Sequence, residues 1–398
     1  MGYGKNNIHK TNTMHFLESY ALTCGLKISK PHLYEEFFPL PFQNEYVIFH
    51  PISKPAKTYD YWNDVLYLIH KNLPPEVKII RIGDKNESNF EYCINIQGQT
   101  NINNTAYLIS RSRGYLGTDT FSMHVAAGYD KPLLSLFSSS PILNSGPSFG
   151  NPAHQVLIEA PRPGKPSYTF EENPKTINNI KPEEIASKFI KLLGFDYKDE
   201  YKTIHFGTEY KKQKQMMFSP ISEILCPPGV TPEIRMDYHF NEQVLAQTLS
   251  QRPCYVVTNK PINLNLLKSL KKNVAALVYL VEKDNKPEFV REVRKLGIKI
   301  FLASFMSKED IQPLKIDYYE IGPIRTAERS DKDKAAELKQ VPNLYYRSQK
   351  IISAGPKKYS SHAAMVAGIE RTPDFEPVIN NDLFWDNLND FYFVQKVS

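Results

Sequence analysis

With 398 residues, 41% of them apolar and 23% charged, the chain is long enough for two ordinary domains and too apolar to be disordered. No apolar run approaches the ~20 residues of a membrane span, and the opening MGYGKNNIHKTN has no signal-peptide core. A net charge of +6 is too mild and dispersed to specify a nucleic-acid partner by itself. Cys24, Cys93, Cys226 and Cys254 lack CxxC spacing, which points to a reduced, cytoplasmic protein.

Residues 1–44 read as a lead-in: a polar start, a helix over 13–24 stopped by Gly25, then a Pro-containing segment. A regular rhythm begins at Glu45. Residues 46–50 (YVIFH) form a buried strand, and 59–72 an amphipathic helix with Trp62, Val65, Leu66 and Ile69 on one face. Residues 77–82 are the next strand, 95–97 a short one and 103–113 a helix. A strand at 115–117 then meets the turn Thr118-Asp119-Thr120, which opens a helix closing at Gly128. Strands at 132–137 and 155–159 and a helix over 182–193, with Pro in its first turn, complete the run. Strands alternating with helices predict a parallel sheet covered on both faces, one doubly wound domain over 45–195.

Charged residues 194–214 mark a boundary, and 202–214 (KTIHFGTEYKKQK) is the most basic patch, read either as a solvated linker or as a contact for an anionic partner. A second α/β domain spans 215–340, with strands at 254–258, 275–281, 298–303 and 318–321, helices at 264–271 and 287–296, and a polar helix within 324–340. An aromatic-rich extension, 341–398, carries Tyr345, Tyr346, Tyr359, Phe384, Trp385, Phe391, Tyr392 and Phe393, and is expected to fold back on the domains.

The chemistry gathers at one edge of the first sheet. A helix N-terminus after a strand offers the unpaired N–H groups of Phe121, Ser122 and Met123 to an anion. His50-Pro51-Ile52-Ser53-Lys54 and Lys57 follow the first strand, and Gly83-Asp84-Lys85-Asn86-Glu87 another. A cation, a helix N-terminus and a carboxylate at one edge suit a nucleoside diphosphate: Lys57 neutralises phosphate, the amides bind it and an acid takes ribose hydroxyls. Taken singly, Lys57 also reads as a solvated surface residue, Asp119 as a helix cap and His124 as a structural histidine.

Four segments in order resemble the donor-binding domain of glycosyltransferase family 9, the ADP-heptose–lipopolysaccharide heptosyltransferases of the GT-B fold: 47–57 (VIFHPISKPAK), 80–87 (IRIGDKNE), 96–109 (IQGQTNINNTAYLI) and 119–137 (DTFSMHVAAGYDKPLLSLF). The lead-in segment ALTCGLK is similar to the family's interdomain linker. The resemblance implies two Rossmann-like doubly wound domains in a GT-B-like arrangement and transfer of a sugar from a nucleotide-sugar, possibly an ADP-sugar, without a metal. Ser53 and Lys57 would contact the donor phosphates, with Glu87 an acid near the donor. Asp119, Thr120 and His124 would sit at the pyrophosphate and sugar, with the amides of Phe121 and Ser122 as anion donors. The acceptor stays open among a glycan, lipopolysaccharide, a protein and nucleic acid such as a modified DNA base.

The sequence departs from the family in two loops, where Phe121 and Ile52 stand in place of Gly, and in having no acceptor-binding domain ahead of residue 45. Three explanations follow: residues 215–340 replace that domain in permuted order, a partner chain supplies it, or activity is lost. In the permuted case Glu282, Asp284 or His239 would be the general base. The competing readings are a non-catalytic nucleotide- or glycan-binding protein with a degenerate donor domain, and an unrelated α/β enzyme in which Lys57 and Asp119 do not converge.

Overall fold

The computed structural model describes residues 14–210, 216–218, 231–326 and 331–397. Contacts divide the chain into two units, Met1–Glu200 and Tyr201–Ser398. The first contains α1 (Phe16–Cys24), β1 (Tyr46–His50), α2 (Trp62–Asn72), β2 (Lys78–Arg81), β3 (Ile94–Asn95), α3 (Ile102–Arg111) and β4 (Gly114–Thr118). It continues with α4 (Phe121–Gly128), β5 (Leu133–Phe137), α5 (Ile142–Ser145), β6 (Gln155–Glu159) and α6 (Pro182–Leu192).

Its six strands are all parallel, in the order β3-β2-β1-β4-β5-β6. From β1 the chain steps one way to β2 and β3, then returns past β1 and steps the other way through β4, β5 and β6. Right-handed crossovers therefore put helices on opposite faces. α2 packs with α6, and α3 with α4. β1, β4 and β5 are buried along their whole length, as central strands covered on both faces must be, while β3 and β6 are only partly buried. Ile48, Ile80, Tyr115 and Leu133 from the strands meet Leu108, Ile109, Met123 and Ala126 from α3 and α4 in one core. The helix expected from Tyr59 begins at Trp62, because the chain first makes a short 3-10 turn over Pro55–Lys57 and buries Tyr59 and Tyr61.

The second unit contains β7 (Tyr201–Phe206), β8 (Met216–Phe218), β9 (Glu233–Arg235), α7 (Glu242–Gln251), β10 (Cys254–Thr258), α8 (Leu264–Ser269), β11 (Val274–Leu280), α9 (Glu288–Lys295) and β12 (Ile300–Ser304). Then come α10 (Lys308–Ile311), α11 (Leu314–Asp317), β13 (Ile324–Thr326), α12 (Lys332–Lys339), β14 (Leu344–Ser348), β15 (Ile351–Ala354), β16 (Lys357–Tyr359), α13 (His362–Ala367), β17 (Glu376–Pro377), α14 (Asp382–Trp385) and β18 (Phe391–Lys396). An eight-stranded sheet runs β13-β12-β11-β10-β9-β8-β15-β16, and an antiparallel four-stranded sheet runs β17-β14-β18-β7.

This unit departs from the expected doubly wound domain. From β8 to β13 each successive strand is added on the same side, so strand order does not reverse among them. Residues 341–398 supply β14 to β18 to both sheets, and their aromatics Tyr346, Phe384, Trp385, Phe391 and Phe393 form a core with Leu338 of α12. The strand expected over 318–321 is instead the turn after α11, where the Tyr318 N–H donates to the Leu314 carbonyl at 3.3 Å. The helical start of Pro313 and Leu314 overrides the β propensity of Tyr318 and Tyr319, and the strand forms at Ile324. Cys24, Cys93 and Cys254 form no disulfide among the described residues, and Cys226 and residues 211–214 of the basic patch lie outside them.

Candidate functional site

Between β1 and β4 the strand order of the first sheet reverses, and loops leaving the carboxyl ends of two such strands diverge to opposite faces and leave a crevice. His50 ends β1 and Thr118 ends β4. The sequence-predicted residues Ser53, Lys57, Asp119, Thr120, Phe121 and Ser122 all belong to the two segments that leave these strands.

Lys57 Nζ pairs with Asp119 Oδ2, and both side chains are largely buried. The Ser145 hydroxyl, from α5, donates to the same carboxylate oxygen at 2.9 Å. Ser53 holds the loop: its hydroxyl donates to the Asp119 carbonyl at 3.2 Å, and its N–H donates to Thr58 Oγ1 at 3.0 Å. Asp119 is therefore an ion-pair partner and not the helix cap. Thr120 occupies the N-cap position of α4 in extended backbone, without capping through its side chain. The N–H groups of Phe121 and Ser122 donate to no group among the described residues.

Beneath this opening lies a buried polar cluster. His50 Nδ1 is 2.6 Å from Ser122 Oγ and 3.3 Å from Thr120 Oγ1. Tyr115 OH is 3.0 Å from Ser122 Oγ and 3.1 Å from Thr120 Oγ1, and those two hydroxyls are 2.9 Å apart. Gly117 makes the close packing possible: a Cβ there would sit 2.5 Å from the His50 carbonyl oxygen and 2.6 Å from Tyr115 OH. Burial, helped by the positive charge of Arg81, pushes the His50 pKa down to about 4, and burial pushes the Tyr115 phenol up to about 12. Both are neutral at pH 7.

His124, one turn into α4, is exposed at the surface. Partial desolvation lowers its pKa and Asp119 pulls the other way, while His15 and Lys57 nearby add to the lowering. It too is neutral at pH 7, so the formal charges of Lys57 and Asp119 cancel within the site. What remains for an anion is the partial positive charge of the helix N-terminus, about +0.5 of an elementary charge. Phe121, where the family resemblance expects Gly, is 46% exposed and sets its ring edge-on to His50 with centroids 5.9 Å apart.

Glu87 is held apart from this group, by Arg81 at the end of β2. Arg81 Nη2 donates to Glu87 Oε2 at 2.6 Å. Gly83, at φ 151°, leaves room for that carboxylate, since a Cβ there would lie 2.2 Å from Oε2. Arg81 is fully buried, and its Nε and Nη1 have no partner among the described residues. Burial raises the Glu87 carboxyl above the usual carboxylate range, against the Asp84 main-chain hydrogen bond and Arg81. Glu282, Asp284 and His239 are exposed in the second unit, the first accepting from Asn259 Nδ2 at 3.1 Å. Among the described residues no three His, Cys, Asp or Glu side chains are grouped to hold a metal, and no helix is long and apolar enough to cross a membrane.

Sequence reasoning missed His50, Tyr115, Ser145 and Arg81. The first two carried a usable signal, a polar side chain inside or ending a fully buried strand; Ser145, in a four-residue helix, carried none.

Comparison with known proteins bears on the same stretch. Residues 23–162 match glycosyltransferase family 9 (heptosyltransferase), so the resemblance read from the sequence is borne out there. Among solved structures the chain is similar to ADP-heptose lps heptosyltransferase II of E. coli, at 18% identity and a TM-score of 0.31, over 44% of this chain and 50% of that one. It is similar to a family 9 glycosyl transferase of Veillonella parvula DSM 2008, at 16% identity and a TM-score of 0.31, over 44% and 50%. A third is the iron-containing dodecameric glycosyltransferase TibC of enterotoxigenic E. coli H10407, at 11% identity and a TM-score of 0.38, over 49% and 57%. The chain thus spans about half the length of the solved structures it matches. No curated protein matches.

Proposed function

We propose that the first unit binds a nucleotide-sugar at the crevice between β1 and β4 and that the protein is a glycosyltransferase, moving the sugar to an acceptor hydroxyl. The observation that carries this reading is the convergence of Lys57, Asp119 and the free N–H groups of Phe121 and Ser122 at one strand-order reversal, within the stretch that matches family 9. In this reading the two amides hold the diphosphate. Lys57 turns from Asp119 to the departing nucleoside diphosphate, whose charge it and the helix N-terminus stabilise. Asp119, released from Lys57 but still held by Ser145, faces the sugar. His124, neutral and exposed beside it, can accept the proton of an acceptor hydroxyl. Glu87, fixed by Arg81, would take donor hydroxyls from the neighbouring strand. An ADP-sugar is the first donor to try, and the acceptor-binding part would come from the second unit or from a partner chain.

Two observations favour the second reading, a nucleotide- or glycan-binding protein without transfer. Lys57 is already neutralised by Asp119, and Phe121 brings a side chain to the place where the amides must be approached closely.

A thermal-shift screen against ADP, UDP, GDP and their glucose conjugates tests the site. Ligand at 100-fold over Kd should stabilise the protein by about 2.7 kcal/mol. Lys57→Ala should weaken the responding nucleotide roughly 10-fold or more, the scale of a lost charged hydrogen bond. No shift with any nucleotide overturns the donor site. A shift without sugar transfer or donor hydrolysis, on addition of candidate acceptors, supports the binding protein.

A further inference from the structure

The donor reading leaves unused the buried cluster under the crevice, and counting its protons reveals what His50 presents to a ligand. Four contacts of 3.1 Å or less join Tyr115 OH, Thr120 Oγ1, Ser122 Oγ and His50 Nδ1: 3.0, 3.1, 2.9 and 2.6 Å. Each needs one hydrogen, and three hydroxyls supply three. The three hydroxyl–hydroxyl contacts form a closed ring that consumes them. Filling the fourth contact as well takes a hydrogen from the imidazole, and the arrangement that fills all four has Nδ1 protonated and donating to Ser122. The longer 3.3 Å approach to Thr120 shares that hydrogen. The opposite tautomer would fill only three of the four contacts.

With Nδ1 protonated on a neutral ring, Nε2 carries a lone pair. His50 is 8% exposed, and Nε2 has no partner among the described residues; nor is it among the fully buried orphan atoms, so the exposed part of the ring includes it. A lone pair repels a phosphate oxygen and attracts an O–H. The main-chain N–H groups of Phe121 and Ser122 nearby offer the reverse preference.

We propose that His50 Nε2 is a hydrogen-bond acceptor for a hydroxyl of the bound molecule, so that the crevice selects a phosphorylated polyol over a bare phosphate or pyrophosphate. This rests on the donor-site reading above and narrows it. His50 acts here as a specificity-determining contact; its low basicity makes it a poor proton acceptor. The hydroxyl belongs either to the nucleoside ribose or to the sugar being transferred, two sources with one chemistry.

The first measurement needs no ligand: long-range proton–nitrogen correlation NMR of the His50 imidazole in the whole protein. A protonated Nδ1 and an unprotonated Nε2 are expected; the reverse assignment overturns the proposal. Affinities are then compared for inorganic pyrophosphate, for the nucleoside diphosphate retained by the screen, and for its glucose conjugate. His50→Phe removes the acceptor, and His50→Gln keeps a carbonyl oxygen in its place. His50→Phe should weaken a hydroxyl-bearing ligand by roughly 2- to 12-fold more than it weakens pyrophosphate, the range for one hydrogen bond, with His50→Gln recovering much of that difference. Loss with the nucleoside diphosphate assigns the hydroxyl to ribose; loss with the glucose conjugate alone assigns it to the sugar. Equal effects on all three ligands, or none, overturn the inference while leaving the donor site intact. If the wild type binds none of them, both fall.

Discussion

In the second unit, Arg235 ends β9 with Nε and Nη2 donating to the two oxygens of Asp237, at 2.8 and 2.6 Å; in the first, Lys57 reaches Asp119 with a single ammonium. Arg235 is closed off further. Nη1 meets the Met217 sulfur at 3.6 Å, and the guanidinium lies over Tyr238, 3.7 Å from its centroid, which stacks in turn on His362 at 3.8 Å. A planar fork matched to a carboxylate and covered by a ring has little left to offer a ligand. The Lys57 pair is a point contact, which in the proposed reading is exchanged for a phosphate, beside amides that have no partner among the described residues. Topology accounts for part of the contrast. β1 and β4 flank a strand-order reversal, where connections diverge and leave a crevice; β9 has neighbours on both sides within a run added in one direction. On the proposed reading, similar charges at the carboxyl ends of parallel strands thus serve stability in one unit and recognition in the other.

The sharpest way to break this division is Arg235→Ala. It strands the Asp237 carboxylate in a buried position and should cost about 3–5 kcal/mol, read by thermal or denaturant unfolding. Nucleotide affinity, measured well below the new melting temperature, should be unchanged. A parallel loss of affinity would mean that the second unit's pair also serves the site.

A smaller effect should follow from His50. Its pKa in the folded protein, about 4, lies below its ordinary value of 6.5, so between these values the unfolded chain binds more protons. Stability should rise with pH across that window, be complete above pH 6.5 and be lost as pH falls toward 4, by about 3 kcal/mol in all. Arg81 on β2, Tyr115 on β4, and Lys57 and Asp119 on the flanking loops surround it, and Glu87 adds a slope of opposite sign. The comparison is therefore the wild type minus His50→Gln. A flat difference would mean that His50 is not held neutral by burial.

Most of the first unit was legible because its central strands are fully buried and read as largely apolar runs, 46–50 and 132–137, between helices with clear caps such as Gly25 and Pro182. Strand order is not written in such runs, though Ser53, Lys57, Asp119 and Thr120 do follow two strands, β1 and β4, that prove to be neighbours at the reversal of strand order. Glu87 joined the prediction by its place after a strand and by the resemblance of 80–87 to family 9, and Arg81, a buried cation in an apolar strand, engages it instead. The second unit was harder for a physical reason. Its four-stranded sheet pairs β7 with β18, partners about 190 residues apart, as Thr203 and Tyr392 are (their hydroxyls 2.8 Å apart), and β15 pairs with the distant β8, and local pattern cannot encode such pairing.

Ser145 offers the finest test, because nothing in the sequence marked it and its contribution is a single hydroxyl. It donates to Asp119 Oδ2, the same oxygen that Lys57 engages, so Ser145→Ala leaves the ion pair its charge and removes one of its two partners. The site is only partly closed, and water can replace the lost donor, which limits the cost in stability to about 0.5–1.5 kcal/mol. The informative quantity is nucleotide affinity. If Lys57 must leave Asp119 to take a phosphate, Ser145 compensates the carboxylate it leaves behind, and its loss should weaken binding by a few-fold in the wild type and by nothing in a Lys57→Ala background. Equal effects in both backgrounds would mean that Ser145 supports the loop alone, and that Lys57 does not change partners on binding.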